Sequence, residues 1–387
     1  MAEHATSGKK IPVQILAPLH DSALLAALDT VTGPAVPVVS VAPVMLDAPG
    51  RAFPLEVRVS APAIGTDLPL LLFSHGNGWS LDGYAPLATS WASRGFVVVQ
   101  PTHLDSRRHG IGFDDERFGS IWMQRRDDLV RVLDQRAVAE AAVPGLAGRL
   151  HPTATAAAGH SWGAQTVQML LGARVLDADG APGPDLGDAR VQAGVLMAAT
   201  GLGGDELHPF AKANFPFMNP SFAELTTPTL VVAGDRDQSR MSQRGPDWFT
   251  DVFHLSPGAT DLLTLFEAEH SLGGIPSWEA AETTDENPER VAVLAGSPRS
   301  TSARRSPATM RPGNGRARCS PSSARRSAKS TAEPSPQPSA ASATAAAAAT
   351  SASSVAAPSA PGVHARRAFR CTKQVGVLKA THEMPPS

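Results

Sequence analysis

Only 2 cysteines occur in 387 residues, and both, Cys319 and Cys371, fall near the C-terminal end. The rest of the chain therefore holds no disulfide and no thiolate metal site, and its stability has to come from an ordinary core. Long apolar runs are also missing. None reaches the roughly 18 residues of a spanning helix, so no membrane span is expected. The N-terminus has neither the basic start nor the apolar core of a secretory signal, and it carries Glu3; the expected location is cytoplasmic. Metal and nucleotide motifs are absent too. The histidines are scattered, with no H-E-x-x-H or C-x-x-C, no G-x-G-x-x-G after a strand and no Walker lysine, so neither cofactor nor metal is expected.

Net charge is small, -2 overall, but unevenly spread. Of the 34 Lys/Arg and 36 Asp/Glu, the stretch from Gly296 onward holds 14 and 2, leaving 20 and 34 before it. The break predicts a folded acidic part at 36–295, a weakly structured or short helical segment at 1–35, and a basic Ser/Ala/Pro/Arg-rich tail at 296–387. The tail has too few large apolar residues to offset ordering entropy and is expected to be disordered. Its lack of interleaved aromatics argues against a nucleic-acid arm. Translation out of frame is an alternative origin: one nucleotide back, TCN serines become Phe, Leu, Ile or Val codons and an apolar closing helix returns.

Within the acidic part, "VPVVSVAPVML" and "LEVRVSAP" alternate like half-exposed strands. "LPLLLFSHG" and "GFVVVQPTH" are continuous apolar runs, the pattern of strands buried on both faces of a parallel sheet. "APLATSWASRG" reads as a helix closed by Gly95, and "SIWMQRRDDLVRVLDQRAV" as one amphipathic helix with Ile121, Leu129, Val132 and Leu133 on its inner side. "VQAGVLMAAT", "TLVVAGD" and "DLLTLFEAE" complete the strands. Strands alternating with helices predict an α/β fold, a mostly parallel central sheet with helices on both faces. Active groups in such sheets collect beyond the carboxyl ends of strands.

One such end reads Gly159-His160-Ser161-Trp162-Gly163, a G-x-S-x-G turn between a strand and a helix. A serine hydroxyl is a weak nucleophile and needs an imidazole to take its proton, and the imidazole needs a carboxylate to fix its tautomer. Downstream, "TPTLVVAG" ends in Gly234-Asp235-Arg236-Asp237, and "DLLTLFEAE" ends in His270. Asp237 is placed ahead of Asp235, which could instead cap the turn. The oxyanion donors are assigned to the backbone N–H groups of Trp162 and of Asn77, the latter in His75-Gly76-Asn77-Gly78, with His75 bracing that loop. His160 is read as structural, His103 as a hydrogen-bonded loop residue and His254 as a core or edge histidine. "GLGGDEL" reads as a glycine-rich loop beside the pocket. Trp79, Trp162, Phe217, Met218 and Trp248 are candidates for an apolar pocket wall.

With these residues placed, "LLLFSHGNGWSLDGYAPLATSWASRGFVVVQPTH" and "AAGHSWGAQTVQMLLGAR" resemble the α/β-hydrolase superfamily. The resemblance is to its dienelactone hydrolase-like, chlorophyllase-like and platelet-activating-factor acetylhydrolase-like esterase branch, over roughly Val41 to Leu294. It implies a carboxylic ester hydrolase working through an acyl-enzyme on Ser161, Asp237 and His270, with a small-to-medium ester as substrate. Ala164 stands where many relatives have glycine. Dienelactone hydrolases proper use a cysteine nucleophile, which is absent. An amidase or peptidase using the same triad, and an impaired ligand-binding protein on the same fold, are the alternatives. The acidic catalytic part disfavours nucleic acid as a partner, and oligomeric state is not legible.

Overall fold

The computed structural model describes residues 34–112, 114–277 and 283–302. Residues 1–33 of the weakly structured or short helical segment expected at 1–35, both cysteines and the tail beyond Ser302 lie outside the described residues. Strands run β1 (Val38–Leu46), β2 (Leu55–Pro62), β3 (Leu68–Ser74), β4 (Val97–Pro101), β5 (Leu150–His160), β6 (Arg174–Val175), β7 (Ala193–Met197), β8 (Pro220–Ser221), β9 (Thr229–Gly234) and β10 (Ala259–Leu265). Helices are α1 (Ala85–Ser93), α2 (Ile121–Asp134), α3 (Arg136–Ala142), α4 (Trp162–Leu170), α5 (Pro209–Asn214), α6 (Asp251–Leu255) and α7 (Pro288–Ser302).

Eight strands form one sheet in the order β1-β2-β4-β3-β5-β7-β9-β10, and β6 pairs with β8 apart from it. From β4 across to β10 every neighbouring pair is parallel, whereas β2 runs antiparallel to both β1 and β4. The apolar runs explain this order. β4, β7 and β9 are buried at every residue, as strands covered on both faces must be. β1, at one edge, alternates as its sequence does. β2 alternates only in its first half and is buried through Pro62, because it lies between two strands.

Helices pair over the sheet. Trp91 on α1 donates its Nε1–H to the Leu294 carbonyl on α7 at 3.0 Å. On α2, Ile121, Leu129, Val132 and Leu133 are buried as expected, but so are Arg125 and Asp128. The amphipathic stretch is two helices rather than one. It breaks at Gln135, whose side-chain amide exchanges two 2.8 Å hydrogen bonds with the Asp47 backbone at the end of β1. Helix α7 opens with an Asx cap: Asn287 Oδ1 accepts from the N–H of Glu289 and Arg290 at 3.0 and 3.1 Å, and Pro288 starts the first turn, where its missing N–H costs nothing. That helix runs to Ser302, past the boundary expected at 296, and Leu294 on it is fully buried.

Candidate active site

The join of β5 and α4 is a backbone under strain. Ser161 has φ 56 and ψ -121, a region a residue with a side chain adopts only when its surroundings over-determine it. The two glycines make that turn sterically feasible. A Cβ on Gly159 would lie 2.2 Å from the Gly163 carbonyl oxygen, and one on Gly163 would lie 1.9 Å from that of Ser74. The elbow is therefore pressed against the end of β3, which brings it beside the loop from His75 to Gly78.

Two other strand ends complete the group. Asp237 follows β9 and is 0% exposed. His270 follows β10, with a side chain 44% exposed. His270 Nε2 lies 2.9 Å from Ser161 Oγ, and its Nδ1 lies 3.0 and 3.1 Å from the two Asp237 carboxylate oxygens. The carboxylate only accepts, so Nδ1 carries the proton and Nε2 presents a lone pair to the serine hydroxyl. Burial works against a charged ring here, but the charge and hydrogen bond of Asp237, with Asp285 behind it, outweigh that and raise the His270 pKa. Asp235 does the other job considered for it: its Oδ1 accepts from the Glu267 N–H and caps the turn.

A serine after β5, an aspartate after β9 and a histidine after β10 meet at one end of a mostly parallel sheet, in that chain order. The protein has the α/β-hydrolase fold. Residues 57–112 match the family model of platelet-activating factor acetylhydrolase, isoform II, so the match falls in the esterase branch that the sequence resembles. No curated protein is significantly similar in sequence. Among solved structures, an esterase of Pyrobaculum calidifontis is 19% identical, with 75% of this chain and 96% of that one covered and a TM-score of 0.46. Esterase 2 of Thermogutta terrifontis, phosphoramylated by tabun, is 15% identical over 66% and 92% of the two chains, with a TM-score of 0.45. A thermostable carboxylesterase cloned from a metagenomic library is 16% identical over 72% and 95%, also with a TM-score of 0.45.

The expected donor loop is held from behind. Asn77 is exposed, and neither its N–H nor that of Trp162 has a hydrogen-bond partner among the described residues. For Trp162 this follows from its place in the first turn of α4, where backbone donors have no intrahelical acceptor. His75 braces the loop as expected: its Nδ1–H donates to the Gly76 carbonyl at 2.7 Å and its Nε2 accepts from the His103 N–H at 3.0 Å. Burial, then Arg125, push the His75 pKa down to about 4, so the ring is neutral. His103 is a buried loop residue fixed by Ser74 and Asp128, each at 3.0 Å.

The pocket candidates divide. Trp162 and Phe217 stand edge to face with ring centroids 5.7 Å apart, and Phe217 stacks on Trp122 at 5.7 Å. A cavity of about 240 Å³ is lined by Trp122, Val175, Leu176, Pro216 and Phe217. Trp79 is half-buried, with the Arg107 guanidinium 4.9 Å from its ring centroid. Met218 and Trp248 are packed into the core, where the glycine-rich loop lies close against them: a Cβ on Gly203 or Gly201 would come within 2.2 Å of the Met218 or Trp248 carbonyl. Of the two readings of His254, core or edge, the core one fails: it is exposed at the end of α6, where the helix turns Val252 and Phe253 inward and leaves its last residues facing solvent.

Several residues of the site carry no sequence motif. Phe249 sits against His270, ring centroids 5.7 Å apart. Asp285 ties down the His270 loop, accepting from the Glu269 N–H at 2.8 Å, the Ser271 hydroxyl at 2.6 Å and the Gly273 N–H at 2.9 Å. The Asn-Pro-Glu start of α7 is the one available signal near it. Among the described residues no group of three or more His, Cys, Asp or Glu is arranged to hold a metal ion, and no helix is long and apolar enough to cross a membrane.

Proposed function

We propose that this ester hydrolase works through a serine acyl-enzyme. Ser161 Oγ attacks the ester carbonyl while His270 Nε2 takes its proton. The tetrahedral intermediate collapses as His270 returns that proton to the departing alkoxide, which leaves as the alcohol. Water then repeats the sequence on the acyl-serine and releases the acid. Asp237 holds the imidazole in the Nδ1–H tautomer and stabilises it while charged. The N–H groups of Asn77 and Trp162, both without a partner among the described residues, are the donors for the oxygen that becomes negative.

The observation that carries this reading is the contact of Ser161 Oγ with His270 Nε2 at 2.9 Å, backed by Asp237 on the other ring nitrogen. The family match to an acetylhydrolase supports an ester as substrate. Phe217, edge to face with Trp162 and in the wall of the largely apolar cavity, supports a small-to-medium ester with an apolar acyl or alcohol part. Short p-nitrophenyl esters and a fluorophosphonate probe test the proposal. Turnover and covalent labelling, both lost in Ser161→Ala, are expected. A folded wild-type protein showing neither would leave the ligand-binding reading in its place.

A further inference from the structure

His160 is buried immediately before the nucleophile, and the mechanism above gives its side chain nothing to do. Its ring is nonetheless fully engaged. Nε2 lies 2.7 Å from the backbone carbonyl oxygen of His270, and Nδ1 lies 2.8 Å from the Tyr84 hydroxyl. A carbonyl only accepts, so the ring proton sits on Nε2; Nδ1 is then the acceptor and Tyr84 the donor. The Tyr84 oxygen in turn accepts from the Gly76 N–H at 3.2 Å. Donors therefore run in one direction, from the Asn77 loop through Tyr84 and His160 to the backbone of the base.

Tyr84, the chain's one tyrosine, is 0% exposed. It is held in place by more than packing. Its backbone is left-handed, at φ 62, and its own N–H donates to the Pro276 carbonyl at 3.2 Å, in the segment that follows His270.

We propose that His160, locked in one tautomer by Tyr84, is a positioning residue that sets the separation of nucleophile and base. Its backbone carries Ser161 while its side chain grips the main chain of His270, so one residue holds both partners of the 2.9 Å contact. This rests on the hydrolase reading. The ring must also stay uncharged, because its centroid is 5.1 Å from that of His270, which becomes an imidazolium during reaction. Burial, and then the neighbouring His270, bring the His160 pKa down to about 3, so it carries no competing charge at neutral pH.

The test compares His160→Leu, His160→Gln and Tyr84→Phe for kcat, KM and thermal unfolding on a short p-nitrophenyl ester. His160→Leu should lose about 30- to 100-fold in kcat with KM little changed, the mark of misplaced reacting groups. A glutamine amide can replace the Nε2–H donor, so His160→Gln should return to within about 3-fold of wild type. Tyr84→Phe should lose about 10-fold, because the freed ring can move its proton to Nδ1 and turn a lone pair on the His270 carbonyl. Adding Tyr84→Phe to His160→Gln should cost less than it does in the wild type, since an amide needs no tautomer lock and only the Gly76 N–H loses its acceptor. Wild-type kcat in His160→Leu, or equal damage in Leu and Gln variants of equal stability, would overturn the proposal. Nitrogen-15 NMR of the unmutated protein tests the tautomer without relying on any variant to fold. His160 should show the Nε2–H form between about pH 5 and 8, and the Nδ1–H form would end the idea. Absence of ester turnover in the wild type would strike the hydrolase reading instead, and the tautomer measurement would still judge the bonds.

Discussion

Asp105 and Arg125 meet at 2.6 Å, each 1% exposed, and together they hold both ends of the loop that carries Asn77. Asp105 Oδ2 accepts from the Gly78 N–H at 3.1 Å, and an Arg125 N–H donates to the His75 carbonyl. Arg125 also reaches Thr166 Oγ1 on α4 at 3.0 Å, so loop and elbow helix share one support. Removing either charge strands the other in the interior, at a cost of about 3–5 kcal/mol. Urea unfolding of Asp105→Asn and Arg125→Met should each show a loss of that order, while the double variant should lose markedly less than their sum. Additive losses would mean the two side chains are not acting as a pair.

In the proposed mechanism Asp237 sets the pH range of activity. Hydrolysis needs His270 neutral, and its pKa is raised above the ordinary value of 6.5, so kcat/KM should climb with pH and reach half-maximum above about 6.5. Asp237→Asn removes the charge that holds the proton. Its midpoint should move down and its kcat should fall by about 10³- to 10⁴-fold. A pH–rate profile of both proteins checks this, and an unmoved midpoint would remove Asp237 from its role.

Three buried histidines make the fold acid-sensitive in a defined window. His75 and His160 have pKa values near 4 and 3, and His103 lies well below 6.5, all led by desolvation. Below 6.5 the unfolded chain binds protons at these sites and the folded chain does not. Stability is therefore lost as pH falls from about 6.5 toward 4, at roughly 1.4 kcal/mol per pH unit for each histidine. Urea midpoints measured at steps across that range should drop steeply, and a flat profile would contradict the burial of neutral rings.

Gly163 has no room for a methyl group. Its Cβ would strike the Ser74 carbonyl oxygen, a backbone atom that cannot swing aside. Gly163→Ala should destabilise by about 3 kcal/mol or more and abolish activity. Gly112→Ala, where a Cβ meets nothing within 4 Å, should change neither. Thermal unfolding of the two variants side by side is the check.

The proposed catalytic trio is legible in the sequence because each member follows a run of apolar residues with a strand's length and burial. Parallel strands deliver their carboxyl ends to one edge, so three such residues in the right order imply a meeting. Tyr84, Asp105, Arg125 and Asp285 leave no such trace. Tyr84 meets His160 across 76 positions and Arg125 meets His75 across 50, and no local period encodes a contact of that separation. Gln135 misleads for the same reason. It is a good helix former, and what stops the helix there is an amide pairing with Asp47, 88 residues back. His254 reads as a core or edge residue because its neighbours are apolar, and a short helix that buries only one side leaves it out of the core.

Asp285 and Arg290 give the fold a direction in time. The Arg290 guanidinium donates to the carbonyls of Phe266 and Asp285, and the Asp285 carboxylate ties down the turn that bears His270. A ribosome synthesises Ser161 well over a hundred codons before these two anchors. A nascent chain halted before Asp285 has its alcohol and its imidazole, gripped by His160 and Asp237, but lacks the acceptor for the Glu269 and Gly273 N–H groups on either side of the imidazole.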